Sequence, residues 1–147
     1  MTELEKLRAH LPFDFSDPQV DALKLHAVKG CQKLNAITVT DVTAKEVVIR
    51  ELFENVGENP TVLPMFICDN GKNIHVGDNF LANYNVTILD VDEVHIGNYV
   101  MIGSNTLIST VNHSLTPMGR REDVADAILF AVTRARRSKI TEIRLTH

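Results

Sequence analysis

The chain has 147 residues, of which 44% are hydrophobic and 23% charged, with a formal net charge of −4. That length fits one domain, and the acidic balance argues against a nucleic-acid surface, which normally presents a basic face. The opening Met-Thr-Glu-Leu-Glu-Lys lacks the apolar stretch of a secretion signal, and no apolar run approaches the ~20 residues that span a bilayer, so a cytoplasmic protein with no membrane partner is expected.

The first 57 residues read as a helical segment. Thr2 followed by Glu5 fits a capping box that starts a short helix through His10. Asp17-Pro18 fits an N-cap with proline at the first helical position, and Val20, Leu23, Ala27 and Leu34 then fall on roughly one face, ending near Asn35. Thr43 with Glu46 resembles a second capping box. It opens a helix whose buried side holds Val47, Ile49, Leu52, Phe53 and Val56, with Gly57 placed to end it.

The period changes after Gly57. Val62, Leu63, Met65, Phe66 and Ile67 are β-prone and bounded by Pro60 and Asn70-Gly71. A sixfold repeat follows. Val76, Ala82, Ile88 and Val94 are spaced by six, and Ile96, Ile102 and Ile108 continue the spacing after a two-residue offset. Val76-Gly77-Asp78-Asn79, Ile96-Gly97-Asn98 and Ile102-Gly103-Ser104-Asn105 are its clearest units. A fixed short period of this kind predicts a parallel β-helix over residues 58–119, with the aliphatic side chains pointing inward and stacking coil on coil. Gly77, Gly97 and Gly103 are expected at the tight corners, where a left-handed backbone suits glycine, and Asn79, Asn98 and Asn105 also suit such corners.

The repeat ends near Pro117. Residues 119–147 carry net +3 against net −7 for the rest, so 120–147 is a compositionally distinct basic tail. Val124, Ile128, Ala131 and Ala135 predict a short helix over 120–137, and residues 139–145 alternate like a strand. The open end of a β-helix needs a cover, and the tail reads as that cap. Cys31 and Cys68 lack metal-ligand spacing and read as free thiols. His75 and His95 fall on outward-facing strand positions, and no metal motif is present.

From Met1 to about Glu122 the chain resembles the maltose and galactoside O-acetyltransferases of the hexapeptide-repeat acyltransferase superfamily. The resemblance is carried by the three N-terminal helices and then, in order, by Val56-Gly57-Glu58-Asn59, Phe66-Ile67-Cys68-Asp69-Asn70-Gly71, Asn73-Ile74-His75-Val76-Gly77-Asp78-Asn79-Phe80, Ala82-Asn83-Tyr84-Asn85 and Asn112-His113-Ser114-Leu115. It implies a left-handed parallel β-helix, assembly as a homotrimer, and acetyl coenzyme A as co-substrate. The activity implied is acetyl transfer to the hydroxyl of a sugar or similar small-molecule acceptor.

The resemblance assigns His113 as general base. A hydroxyl attacks a thioester poorly unless its proton leaves as the bond forms, and an imidazole suits that task. It also assigns Asn83, Asp69 and Asp14 to the acceptor site. Lys24 and His26 depart from the family, standing where arginines are usual, and Lys is no equivalent of the planar, bidentate Arg. Leu81 stands where an aromatic residue is frequent. Beyond about residue 120 the family's later coils have no counterpart, so the chain reads as C-terminally shortened or altered. The alternative is accordingly a non-catalytic relative that binds the acceptor or serves assembly.

Overall fold

A computed structural model describes residues 1–110, apart from His10, Pro12 and Phe15, together with the backbone of the strand 143–145. Three helices precede a ladder of short strands: α1 (Glu3–Arg8), α2 (Pro18–Ala36) and α3 (Val42–Leu52), then β1 (Asn55–Val56) through β9 (Leu107–Ser109), and β10 (Ile143–Leu145). The predicted helix over 120–137 lies outside the described residues.

Two of the three helix starts follow the sequence rules. Thr2 Oγ1 accepts from Glu5 N at 3.2 Å while Glu5 Oε2 accepts from Thr2 N at 2.7 Å, a complete capping box, though α1 stops at Arg8, short of His10. Asp17 caps α2 through Gln19 N at 2.9 Å. The third start differs from expectation. Asp41, not Thr43, caps α3 by accepting from Ala44 N at 3.1 Å. Val48 faces inward and Val47 is half-exposed, the reverse of the expected face. α3 also ends at Leu52, before Gly57, which belongs to the first coil.

The strands wind around a three-sided prism. One sheet is β1-β4-β7-β10, the second β2-β5-β8 and the third β3-β6-β9. Every pairing from β1 to β9 is parallel and joins residues twenty apart, such as Asn55 with His75, His75 with His95, and Ile88 with Ile108. A coil is thus three hexapeptides plus two residues. The extra pair lies at the edge between the third and first sheets, which explains the offset between Val94 and Ile96. β10 pairs antiparallel with β7, placing Arg144 opposite His95, so the end of the tail closes the free edge of the first sheet.

Inside the prism Val76, Ala82, Ile88, Val94, Ile96, Ile102 and Ile108 are all buried. Phe53, Phe66 and Phe80 are fully buried, with Phe53 and Phe66 edge-to-face at 5.5 Å, and they join the coil core to the helices. Polar groups secure this junction. The side-chain amide of Asn35 pairs with both Phe66 O and Phe66 N at 2.8 Å, as an extra strand residue would. Buried Lys45 donates to Leu34 O at 3.4 Å and Val62 O at 3.1 Å, and burial lowers its pKa. Arg50 links Glu46 to the carbonyls of Val56 and Gly57. Cys31 and Cys68, far apart in sequence, meet with their sulfurs 3.5 Å apart as buried free thiols.

The corners correct the expectation for glycine. Among the described residues the left-handed ones are Asn59, Asn79, Asn85, Tyr99 and Asn105, together with Gly71, while Gly77, Gly97, Gly103 and Asn98 are not among them. Gly77 is required instead by close stacking. A Cβ there would overlap Asn98 Oδ1 and lie 2.7 Å from Asn98 N and 2.8 Å from Gly97 C. Gly77→Ala is expected to cost about 1–3 kcal/mol, because backbone must shift to admit the methyl. Thermal melts of the two proteins measure it, and an unchanged melting temperature would contradict the packing argument.

Candidate functional site

The edge between the third and first sheets carries most of the chemistry. Here the chain turns through Asp69-Asn70-Gly71 in one coil and through Asp90-Val91-Asp92 in the next. Asp90 is fully buried. Its carboxylate accepts from Asp69 N and Asn70 N at 3.0 Å and from Gly71 N at 2.7 Å. Burial pushes its pKa up to about 6, outweighing the three N–H donors that favour the charged form. One coil further on, Thr110 Oγ1 accepts from Asp92 N at 2.9 Å and donates to Leu89 O at 2.9 Å.

Asp69 is half-buried beside this turn. Desolvation raises its pKa, and the positive charge of Lys24 on α2 partly counters that. The two residues singled out separately in the sequence therefore face one another electrostatically. His26, by contrast, contacts Leu52 O at 3.4 Å and ties α2 to α3. Asn83 lies on a different edge of the prism, between the second and third sheets. Its Oδ1 accepts from Tyr84 N at 2.9 Å, and among the described residues its amide NH2 has no partner. Asp14 precedes α2 and is exposed. It accepts from Ser16 N at 2.8 Å and Ser16 Oγ at 2.6 Å, which holds its carboxyl below the usual carboxylate range. His113 lies outside the described residues.

A cavity of about 550 Å³ opens between the N-terminal helices and the edge between the third and first sheets, lined among others by Leu4, Leu23, Asn70, Asn73, His75 and Glu93. None of Asp14, Asp69 and Asn83 lines it. On its sheet side His75 and His95 stand on the outer face, stacked with ring centroids 4.3 Å apart. Glu93 Oε2 sits 2.8 Å from His95 Nε2, and that hydrogen bond lowers the carboxyl pKa. Burial, with His95 beside it, pushes His75 below the ordinary imidazole value. Sequence reading takes these histidines as surface residues and misses Glu93. The available signal was the twenty-residue interval between them, which is also the length of a coil. Among the described residues no helix is long and apolar enough to cross a membrane.

Three helices seated on a three-sided parallel coil define the hexapeptide-repeat acyltransferase class, a left-handed parallel β-helix. Residues 6–57 match the maltose acetyltransferase hexapeptide capping motif. The chain is 43% identical over 113 residues to the galactoside O-acetyltransferase of Escherichia coli, a match covering 77% of this chain and 56% of that protein. Among solved structures it is similar to a maltose O-acetyltransferase from Clostridium difficile, with TM-score 0.79 and 33% identity over 82% of this chain and 65% of that one. A hexapeptide-repeat acetyltransferase of Vibrio cholerae complexed with acetyl coenzyme A superposes with TM-score 0.72 and 35% identity, covering 82% of this chain and 65% of that one. The chain belongs to the maltose and galactoside O-acetyltransferase family. It spans about half the length of the curated relatives it matches.

Proposed function

We propose that the chain acts as an acetyl-coenzyme-A-dependent O-acetyltransferase on a sugar or similar hydroxyl acceptor, by direct transfer with His113 as general base. The observation that carries this reading is the match of both parts, helical cap and coil, to a maltose O-acetyltransferase at TM-score 0.79. The acceptor oxygen attacks the thioester carbonyl as its proton passes to the imidazole. The tetrahedral oxyanion then collapses, the C–S bond breaks, and the thiolate leaves and takes up a proton. The amide NH2 of Asn83, which has no partner among the described residues, suits stabilisation of the oxyanion or contact with the acceptor.

Asp69, Asp14 and Lys24 supply polar groups for sugar hydroxyls, and an acceptor lacking the matching hydroxyl leaves them unpaired. Asp69 and Asn83 occupy different edges of one prism, so a site that uses both is completed between neighbouring chains. A homotrimer with prisms side by side supplies that arrangement. The second reading is a non-catalytic relative that binds acceptor or serves assembly.

Titrating acetyl coenzyme A into the purified chain in a calorimeter separates the two readings without choosing an acceptor. Saturable binding, one molecule per chain, is the expected result. No heat at millimolar coenzyme would overturn the enzymatic reading and leave the second.

A further inference from the structure

We propose that His75, Glu93 and His95 form a binding site for a borderline divalent cation of the zinc type. Each residue offers one ligand atom, and these atoms lie within 4.8 Å of one another. Two imidazoles and a carboxylate are a donor set that suits zinc, with further coordination positions left for water. The site belongs to the outer face of the first sheet and the rim of the cavity, away from Asn83 and the edge that carries it.

The placement is rigid where it matters. His75 and His95 are register partners on β4 and β7, so the coil spacing itself brings the rings together. Glu93 immediately precedes β7, and its carboxylate already holds His95 Nε2 at 2.8 Å. The nitrogen facing the cluster from His75 is fixed as well. Asn55, its register partner in the coil below, takes up Nδ1 at 2.7 Å and leaves Nε2 for the ion. A cation would replace the proton now shared between His95 and Glu93. Asn55 would then turn its amide over and accept from Nδ1–H, the outer contact that fixes the tautomer of a metal-bound histidine.

The adjustment required is small. Tetrahedral zinc holds its ligand atoms about 3.3 Å apart, so with all of them already within 4.8 Å no pair need close by more than roughly 1.5 Å. The Glu93 side chain is 53% exposed and free to swing, and the χ2 wells of histidine are broad enough to tilt the stacked rings towards a shared ion. The cavity supplies access from the His75 and Glu93 side and adds the carboxylates of Glu54 and Asp92 to its lining.

Zinc chloride titrated into the metal-free full chain, at neutral pH in a non-chelating buffer, tests the assignment. One ion per chain should bind, and cobalt(II) in its place should give the visible bands of a four-coordinate site. Glu93→Gln and the paired change His75→Ala with His95→Ala should each weaken binding by a hundredfold or more. Asn55→Ala, which removes no ligand atom but takes away the outer contact to His75 Nδ1, should weaken it about 10–100-fold. Circular dichroism checks that each variant is folded, and Glu93→Gln alone decides if the paired variant is not. Wild-type chain that fails to saturate below millimolar zinc, or a folded Glu93→Gln chain with unchanged affinity, overturns the proposal.

Discussion

Replacing His113 by alanine should lower acetyl transfer by about 10²–10⁴-fold while leaving the binding of acetyl coenzyme A unchanged. A sugar hydroxyl at neutral pH is a poor nucleophile towards a thioester, and its oxygen becomes competent only as a base removes the proton in the transition state. An alanine provides no base but removes nothing from the coenzyme's own contacts. The loss should therefore fall on kcat, with the coenzyme dissociation constant from calorimetry unaltered. An equal rate for His113→Ala would remove this residue from the mechanism.

The second large effect concerns stability. Asp90→Ala should destabilise the fold by roughly 3–5 kcal/mol, because it strands the buried N–H groups of Asp69, Asn70 and Gly71, each costing about 1–3 kcal/mol when unpaired. Such a loss is comparable to the whole stability of many domains. Denaturant melts measure it, and a shift below 1 kcal/mol would mean that other partners take over the three donors.

Asp90 also fixes a pH dependence. Its folded pKa of about 6 lies above the ordinary carboxylate value of 3.8. Between those values the folded chain holds more protons than the unfolded one, so this group's contribution falls as pH rises from about 4 to 6. The fall amounts to about 3 kcal/mol and is complete above that window. Asp90→Asn keeps the shape but cannot titrate. Subtracting its stability curve from that of the parent should expose the slope, and a flat difference would contradict it.

The parts of the fold that were legible in sequence are those set by local chemistry or by strict periodicity. Seven aliphatic positions from Val76 to Ile108 announced the prism, since only side chains that stack at strand spacing tolerate such regularity. Thr2 and Asp17 announced helix starts because a cap is a contact over three residues. Thr43 misled for the same reason. It has the right partner at Glu46, but Asp41 reaches Ala44 N first.

The corners were legible at Asn79 and Asn105, which do carry positive φ, but not at Gly77, Gly97, Gly103 and Asn98, which do not. Asparagine tolerates that region and adds a ladder, with Asn59 donating to Asn79 and Asn85 to Asn105 at 3.3 Å. The candidate site was legible only in part. Asp69, Asn83 and Asp14 came from resemblance to a family, and nothing local marks them. The pairing of Lys24 with Asp69, the thiol contact, and the cluster around His95 each join residues distant in sequence, which periodicity alone does not connect.

Polar side chains at the prism edges repeatedly accept from backbone N–H groups of the coil laid down before them. Asp78 accepts from Glu58 N, Asn98 from Asp78 N, Asp90 from the turn at 69–71, and Thr110 from Asp92 N. A turn is thus left with bare N–H groups until the succeeding twenty or so residues have been laid over it. On a ribosome the chain would be completed strictly from its N-terminal end, each new layer sealing the one made before, and the last layer to emerge would always be the one still waiting for its cover.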